Sequence, residues 1–246
     1  MNTCDNSAMG LTTLLLPGMH GTSRLFERLI QVFPAGLVPR VVNYPTDEVV
    51  GYDELLDRIK LPDEPFAIVA ESYSGPVAIR LAARGPANLR AMVLVATFAR
   101  SPWPVIPRWA AALVRPWLFK IPLPQVQLRR ALLGDDAPRE QIVEVCEEQR
   151  RCRPEVLAAR IRDVLSVDVR HELHAIKVPM LYLGGSRDRV VPLRAARELK
   201  GLRPDIEEFF IDSPHAVLQR RPTESAALIA WFLLGKTAST GEPVAR

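Results

Sequence analysis

Six short runs rich in apolar and β-branched residues constrain this chain most: Thr12–Leu16, Leu37–Asn43, Phe66–Ala70, Ala91–Thr97, Pro179–Leu183 and Ile206–Ile211. Most are almost unbroken in their hydrophobicity. A strand of that kind is buried on both faces, as in a parallel sheet covered by helices on each side. Helical patterns separate the runs, over Ser23–Phe33, Tyr52–Lys60, Ser74–Arg84, Pro192–Lys200 and Pro222–Leu234. Pro192 and Pro222 stand at a first helical position, a regular start signal. Strand alternating with helix predicts a doubly wound α/β architecture.

The alternation breaks once. Between the fourth and fifth runs, residues 100–178 hold no convincing strand, and Arg108–Phe119, Pro124–Leu133, Pro138–Arg150 and Pro154–Leu165 look helical, each opened or interrupted by proline. This segment is expected to be a helical cap inserted into a core made of residues 1–99 and 179–246. The cap also carries the charge imbalance. The chain's formal net charge is +4, and the same excess lies within residues 100–177 alone. Arg100, Arg108, Arg115, Lys120, Arg129 and Arg130 all precede the first acid of that stretch. No Lys/Arg run with interleaved aromatics accompanies them, so nucleic acid is not expected as a partner. With 48% apolar and 24% charged residues, disordered, collagen-like and coiled-coil chains are excluded. The run Leu14–Leu16 stops at Pro17, far short of the ~20 residues of a membrane span. A polar start without a basic region, and three scattered cysteines, suggest a cytoplasmic protein. The tail from Lys236 to Arg246 is expected to be loose.

Chemistry concentrates at the end of the third run, in Ala70-Glu71-Ser72-Tyr73-Ser74-Gly75. A strand there enters a helix through a tight turn with serine at its apex. The flanking positions must be small because strand and helix backbones nearly touch, and Ala70 and Ser74 meet that need. Centring the turn on Ser74 would put Pro76 at the second small position, so Ser72 is the expected nucleophile.

A serine hydroxyl needs a base. His171 and His174 lack metal-motif spacing and are expected on the surface. His20 lies in the loop after the first run. His215 follows the last run, at the carboxyl edge where sites of open α/β sheets gather. An orienting carboxylate completes the relay, and Asp188 lies in the loop after the fifth run; Asp212 is its rival, only three residues from His215. Backbone N–H groups must also meet the developing oxyanion. Tyr73, after the nucleophile, is one expected donor; the loop Leu16-Pro17-Gly18-Met19-His20-Gly21-Thr22 supplies the other.

These segments, with the order Ser72, Asp188, His215, resemble the α/β-hydrolase superfamily, in a compact capped form similar to the pimeloyl-[acyl-carrier protein] methyl ester esterases. The resemblance runs over roughly residues 12–234. It implies an α/β-hydrolase fold; with only eleven residues before Thr12, the sheet is expected to be mainly parallel and six-stranded, without the family's usual leading antiparallel pair. Counting Pro17-Gly18 as the family's His-Gly nominates Met19 as the second oxyanion donor; counting from His20-Gly21 nominates Thr22. The expected activity is hydrolysis of carboxylic esters through an acyl-enzyme, on a small-molecule or acyl-chain ester, with no cofactor and no metal. An acidic acyl carrier protein at the basic cap is the partner the resemblance would imply. Perhydrolase or haloperoxidase chemistry and amide or C–C hydrolysis use the same residues and stand as rivals. A non-enzymatic binding module would normally lack part of the triad.

Overall fold

The computed structural model describes residues 10–120 and 129–239. Six strands, β1 (Leu11–Leu16), β2 (Leu37–Val41), β3 (Phe66–Glu71), β4 (Leu89–Val95), β5 (Met180–Gly185) and β6 (Glu207–Ile211), form one sheet in the order β2-β1-β3-β4-β5-β6. Every pairing is parallel. All six expected runs are strands, with ends displaced by one or two residues.

Alternation along the central strands explains why their sequence reads as continuously apolar. Leu14, Leu16, Ile68, Ala70, Met92, Leu94, Met180 and Tyr182 enter the core on one face of the sheet. Leu15, Ala67, Val69, Val93, Val95, Leu181 and Leu183 enter the core on the other. Side chains of a strand alternate between faces, so two buried faces leave no polar position.

The helices are α1 (Glu27–Ile30), α2 (Tyr52–Arg58), α3 (Gly75–Ala83), α4 (Arg139–Arg151), α5 (Pro154–Ser166), α6 (Leu193–Leu202), α7 (Val217–Arg220) and α8 (Pro222–Ser239). Three expectations are corrected. The helix read over Ser23–Phe33 is a 3₁₀ turn, Arg24–Phe26, followed only by the single turn of α1. Arg108–Phe119 forms two 3₁₀ turns, Arg108–Leu113 and Pro116–Lys120; Pro116 lacks the N–H a continuous helix would use, and the chain is extended at Val114. The terminal helix continues through Lys236 to Ser239, where a loose tail was expected. The helix read over Pro124–Leu133 falls partly outside the described residues, and 129–133 are helical.

Between β4 and β5 the described residues are helical or turn, and their one β interaction is the isolated bridge Arg100–Asp168. Both 3₁₀ turns pack against α5. Core and inserted segment meet through ion pairs from Arg24 to Glu147 (2.7 Å) and Arg28 to Glu144 (2.7 Å). No helix among the described residues is long and apolar enough to cross a membrane.

Candidate active site

At the end of β3 the chain turns sharply into α3. Ser72 takes φ +49°, the left-handed region that an L-residue occupies at a cost, which lifts its side chain out of the strand–helix corner. The tightest steric demand falls one residue beyond the expected pair of small positions. A Cβ on Gly75 would lie 1.9 Å from Thr97 Oγ1, so only glycine fits there. Thr97 in turn donates its hydroxyl to the Ser72 carbonyl. Ser74 is fully buried and committed to the fold, bonded to the Pro17 carbonyl and to Tyr44 Oη at 2.7 Å. Its role is to fasten the loop after β1 to the elbow.

The loops after β5 and β6 interlock. Ser186 N–H donates to Ile211 O (2.8 Å) and Arg187 N–H to Ser213 O (3.0 Å). A Cβ on Gly185 would meet Pro214 O at 2.4 Å and Ser213 O at 2.5 Å, so glycine lets the two backbones touch. This contact brings His215 and Asp188 together. His215 Nδ1 lies 2.7 Å from Asp188 Oδ2, and His215 Nε2 lies 2.9 Å from Ser72 Oγ. Asp188 Oδ1 accepts the N–H groups of Val190 (2.8 Å) and Val191 (2.9 Å), which fixes the carboxylate's rotation. The rival Asp212 is exposed and paired with Arg187 Nε at 2.7 Å.

The imidazole of His215 is buried, which alone would lower its pKa. The Asp188 carboxylate, by charge and hydrogen bond, and the charge of Glu71 outweigh that, and the pKa is raised. Glu71, the residue before the nucleophile, was not singled out by sequence reasoning. It is buried and lines the same pocket. Desolvation pushes its carboxyl pKa upward, opposed by Gln219 Nε2, which donates at 3.0 and 3.3 Å, by His215 and by the Gly18 N–H. Glu71 thus spans the loop after β1 and helix α7, which follows His215. An acid in the variable position of a small-x-Ser-x-small turn was the available signal.

Met19 lines the pocket together with Gly18, His20, Ser72 and His215; Thr22 is not on its wall. A smaller void beside it is bordered by Met19, Ser72 and Tyr73. Arg160, on α5 and almost wholly buried, donates to Met19 O (2.5 Å) and Pro45 O (2.7 Å), with its guanidinium 5.8 Å from the ring centres of Tyr44 and Tyr73. The inserted segment therefore holds the loop carrying Met19. The pKa of His20 is lowered to about 4 by desolvation and then by Arg160, with Glu148 opposing, so it is neutral near pH 7; the ring nitrogen bonded to Ser72 Oγ is that of His215. His171 and His174 are exposed on a 3₁₀ turn before β5.

The pocket measures about 130 Å³, and most of its wall is apolar: Leu25, Trp103, Phe119, Leu132, Val145, Leu157, Ile161 and Val190. Six of these eight come from the inserted segment, all but Leu25 and Val190. Among the described residues, no three His, Cys, Asp or Glu side chains group as a metal site. A serine, a base and an oriented carboxylate at the floor of an apolar pocket can perform acyl transfer to water.

The chain is similar to several known hydrolases. The family model for serine aminopeptidase, S33 (Hydrolase_4) matches residues 39–204, a span that includes the elbow and Asp188 and stops short of His215. A pimeloyl-[acyl-carrier protein] methyl ester esterase of Aromatoleum aromaticum is 29% identical, over 88% of this chain and 95% of its own length. Among solved structures, MenH from S. aureus superposes with a TM-score of 0.78 at 21% identity, covering 94% of this chain and 96% of its own. An esterase from Exiguobacterium antarcticum superposes with a TM-score of 0.77 at 14% identity, covering 92% of both chains. At those identities the structural likeness shows the α/β-hydrolase fold.

Proposed function

Because the chain belongs to the Hydrolase_4 family (serine aminopeptidase, S33), we propose that it hydrolyses carboxylic esters through an acyl-enzyme on Ser72. The observation that carries this is the unbroken relay Ser72 Oγ···His215 Nε2 (2.9 Å) and His215 Nδ1···Asp188 Oδ2 (2.7 Å). Ser72 attacks the ester carbonyl while His215 takes its proton; the N–H groups of Met19 and Tyr73 meet the oxyanion, and the alcohol leaves with the proton from His215. Water then repeats the sequence and releases the acid. Asp188 holds the Nδ1–H tautomer and stabilises the imidazolium. An ester is favoured over a peptide because an aminopeptidase must hold a free ammonium group. Among the described residues, Glu71 is the carboxylate lining the pocket outside the triad, and it is already taken up by Gln219 and Gly18.

The domain division read from the sequence, a core of residues 1–99 and 179–246 with a cap over 100–178, suits this reading. Trp103, Phe119, Leu132, Val145 and Leu157 from the inserted segment would hold the acyl chain. A finer form of the reading, supported by the curated relatives named pimeloyl-[acyl-carrier protein] methyl ester esterase, is a methyl ester borne by an acidic carrier protein. Arg139, Arg150 and Arg162 of α4 and α5 are the cations available to it, because Glu144 and Glu147 are engaged by Arg28 and Arg24 of the core. A p-nitrophenyl ester series from acetate upward, with wild type and Ser72→Ala, tests the chemistry. Turnover in wild type and its loss by several orders of magnitude in the variant are expected; retained turnover in Ser72→Ala would refute the assignment. A carrier-linked methyl ester, cleaved faster at low than at moderate salt while a neutral p-nitrophenyl ester is not, would support the finer form.

A further inference from the structure

Apolar side chains are exposed at one place on this molecule far more than elsewhere. Of the fifteen large hydrophobic residues exposed among the described residues, six fall within 105–118: Val105, Ile106, Trp109, Leu113, Trp117 and Leu118. Val105 is 85% exposed, Trp109 69%, Leu113 63% and Trp117 57%. Apolar residues scattered singly over a surface need no explanation, but a concentration of this kind marks an interaction site. Both 3₁₀ turns that carry these residues, Arg108–Leu113 and Pro116–Lys120, pack on α5, so their outward side chains share one surface of the inserted segment.

Along the chain the charge beside these residues has one sign: no Asp or Glu occurs from Ser72 to Gly134, whereas Arg108, Arg115 and Lys120 interleave with the apolar side chains. Arg108 lines a cleft with Asp53, Asp163 and Asp168, which leaves Arg115 and Lys120 to the apolar surface. Arg115 and Lys120 are exposed. Indoles and aliphatic groups beside Arg and Lys, without acids, are the composition of an element lying in a bilayer interface. The ring sits at the headgroup level, the aliphatic groups enter the acyl boundary and the cations meet anionic lipid. An acidic soluble partner would account for the cations and leave Trp109, Trp117, Leu113 and Val105 unexplained.

We propose that the surface formed by residues 105–120 docks this protein on the face of an anionic phospholipid bilayer. Nothing in the docking spans the membrane. Phe119, within this stretch, and Trp103, two residues before its start, line the catalytic pocket, so the docking surface adjoins the site. The surface is independent of which ester the enzyme cleaves.

Sedimentation with large unilamellar vesicles tests it, comparing pure phosphatidylcholine with mixtures rich in phosphatidylglycerol. The full chain is expected to sediment with anionic vesicles at low salt, to dissociate as salt rises, and to leave phosphatidylcholine largely unbound. Trp109→Ala/Trp117→Ala should weaken partitioning about tenfold, and Arg115→Glu/Lys120→Glu should abolish the preference for anionic lipid. Both double variants should hydrolyse a water-soluble p-nitrophenyl ester like wild type, which shows that they are folded and separates this result from the hydrolase assignment. No sedimentation with anionic vesicles, or binding that survives both double variants, overturns the proposal. So does conversion of a dimer to a monomer by Trp109→Ala/Trp117→Ala without loss of lipid binding, because the apolar surface then belongs to a second copy of the chain.

Discussion

Replacing Asp188 with asparagine changes one atom and should disable the enzyme for a reason that can be followed through the hydrogen bonds. In the native site Oδ1 accepts from the N–H groups of Val190 and Val191, and Oδ2 faces His215 Nδ1. The two backbone donors require an acceptor, so the asparagine must keep its carbonyl oxygen there and turn its NH₂ toward His215. Nδ1 then has to accept, which moves the imidazole proton to Nε2. Nε2 is the atom 2.9 Å from Ser72 Oγ, and once protonated it cannot take the serine proton. The imidazolium also loses its neighbouring charge. Loss of both functions in a serine triad costs about 10⁴ in kcat, close to 5.5 kcal/mol of barrier. Steady-state hydrolysis of p-nitrophenyl acetate by wild type and Asp188→Asn, with circular dichroism to confirm the fold, measures it. A loss smaller than tenfold would mean that Asp188 does not govern the tautomer of His215, and the derivation above would fail.

Other expectations follow from the same contacts. The acid limb of kcat/KM for wild type should lie above pH 6.5, because the net effect of Asp188 and Glu71 is to raise His215 and the base works only when neutral; Glu71→Gln should move that limb to lower pH, and an unchanged limb would show that Glu71 is electrostatically silent. His20→Ala should lower activity modestly through the loop, whereas His215→Ala should cost several orders of magnitude; equal losses would contradict the assignment of the base. Gly75→Ala should be strongly destabilising, by more than the ~1–3 kcal/mol of ordinary overpacking, because its Cβ would overlap Oγ1, Cγ2 and Cβ of Thr97, whose hydroxyl is held by the Ser72 carbonyl; thermal unfolding reads it. Leu181→Ala, fully buried in the sheet, should cost about 2–5 kcal/mol in denaturant unfolding.

The sheet was legible because its strands are buried on both faces and announce themselves without reference to anything else. Ser72, His215 and Asp188 were legible for a related reason. Each follows a recognisable strand, and the carboxyl ends of parallel strands converge on one edge. What escaped was tertiary in origin. The 3₁₀ turns around Pro116 also pack on α5, while the apolar spacing on either side of the proline reads as a single helix. That Gly75, rather than Ser74, sits at the closest strand–helix approach depends on Thr97, twenty-two residues away in the chain. Glu71 was passed over because an acid beside the nucleophile marks the position without showing that Gln219 and Gly18 will close around it. Arg160 is similar, since nothing in a cap helix with several arginines marks the one that will be buried beneath Met19.

The central claim is that Ser72 becomes covalently acylated. Incubation with a fluorophosphonate, followed by digestion and peptide mass spectrometry, tests this most directly. One adduct is expected, on Ser72, absent from Ser72→Ala and slowed severely in His215→Ala. Turnover of an ester by a protein that carries no adduct on Ser72, or an adduct found on Ser74 instead, would contradict it.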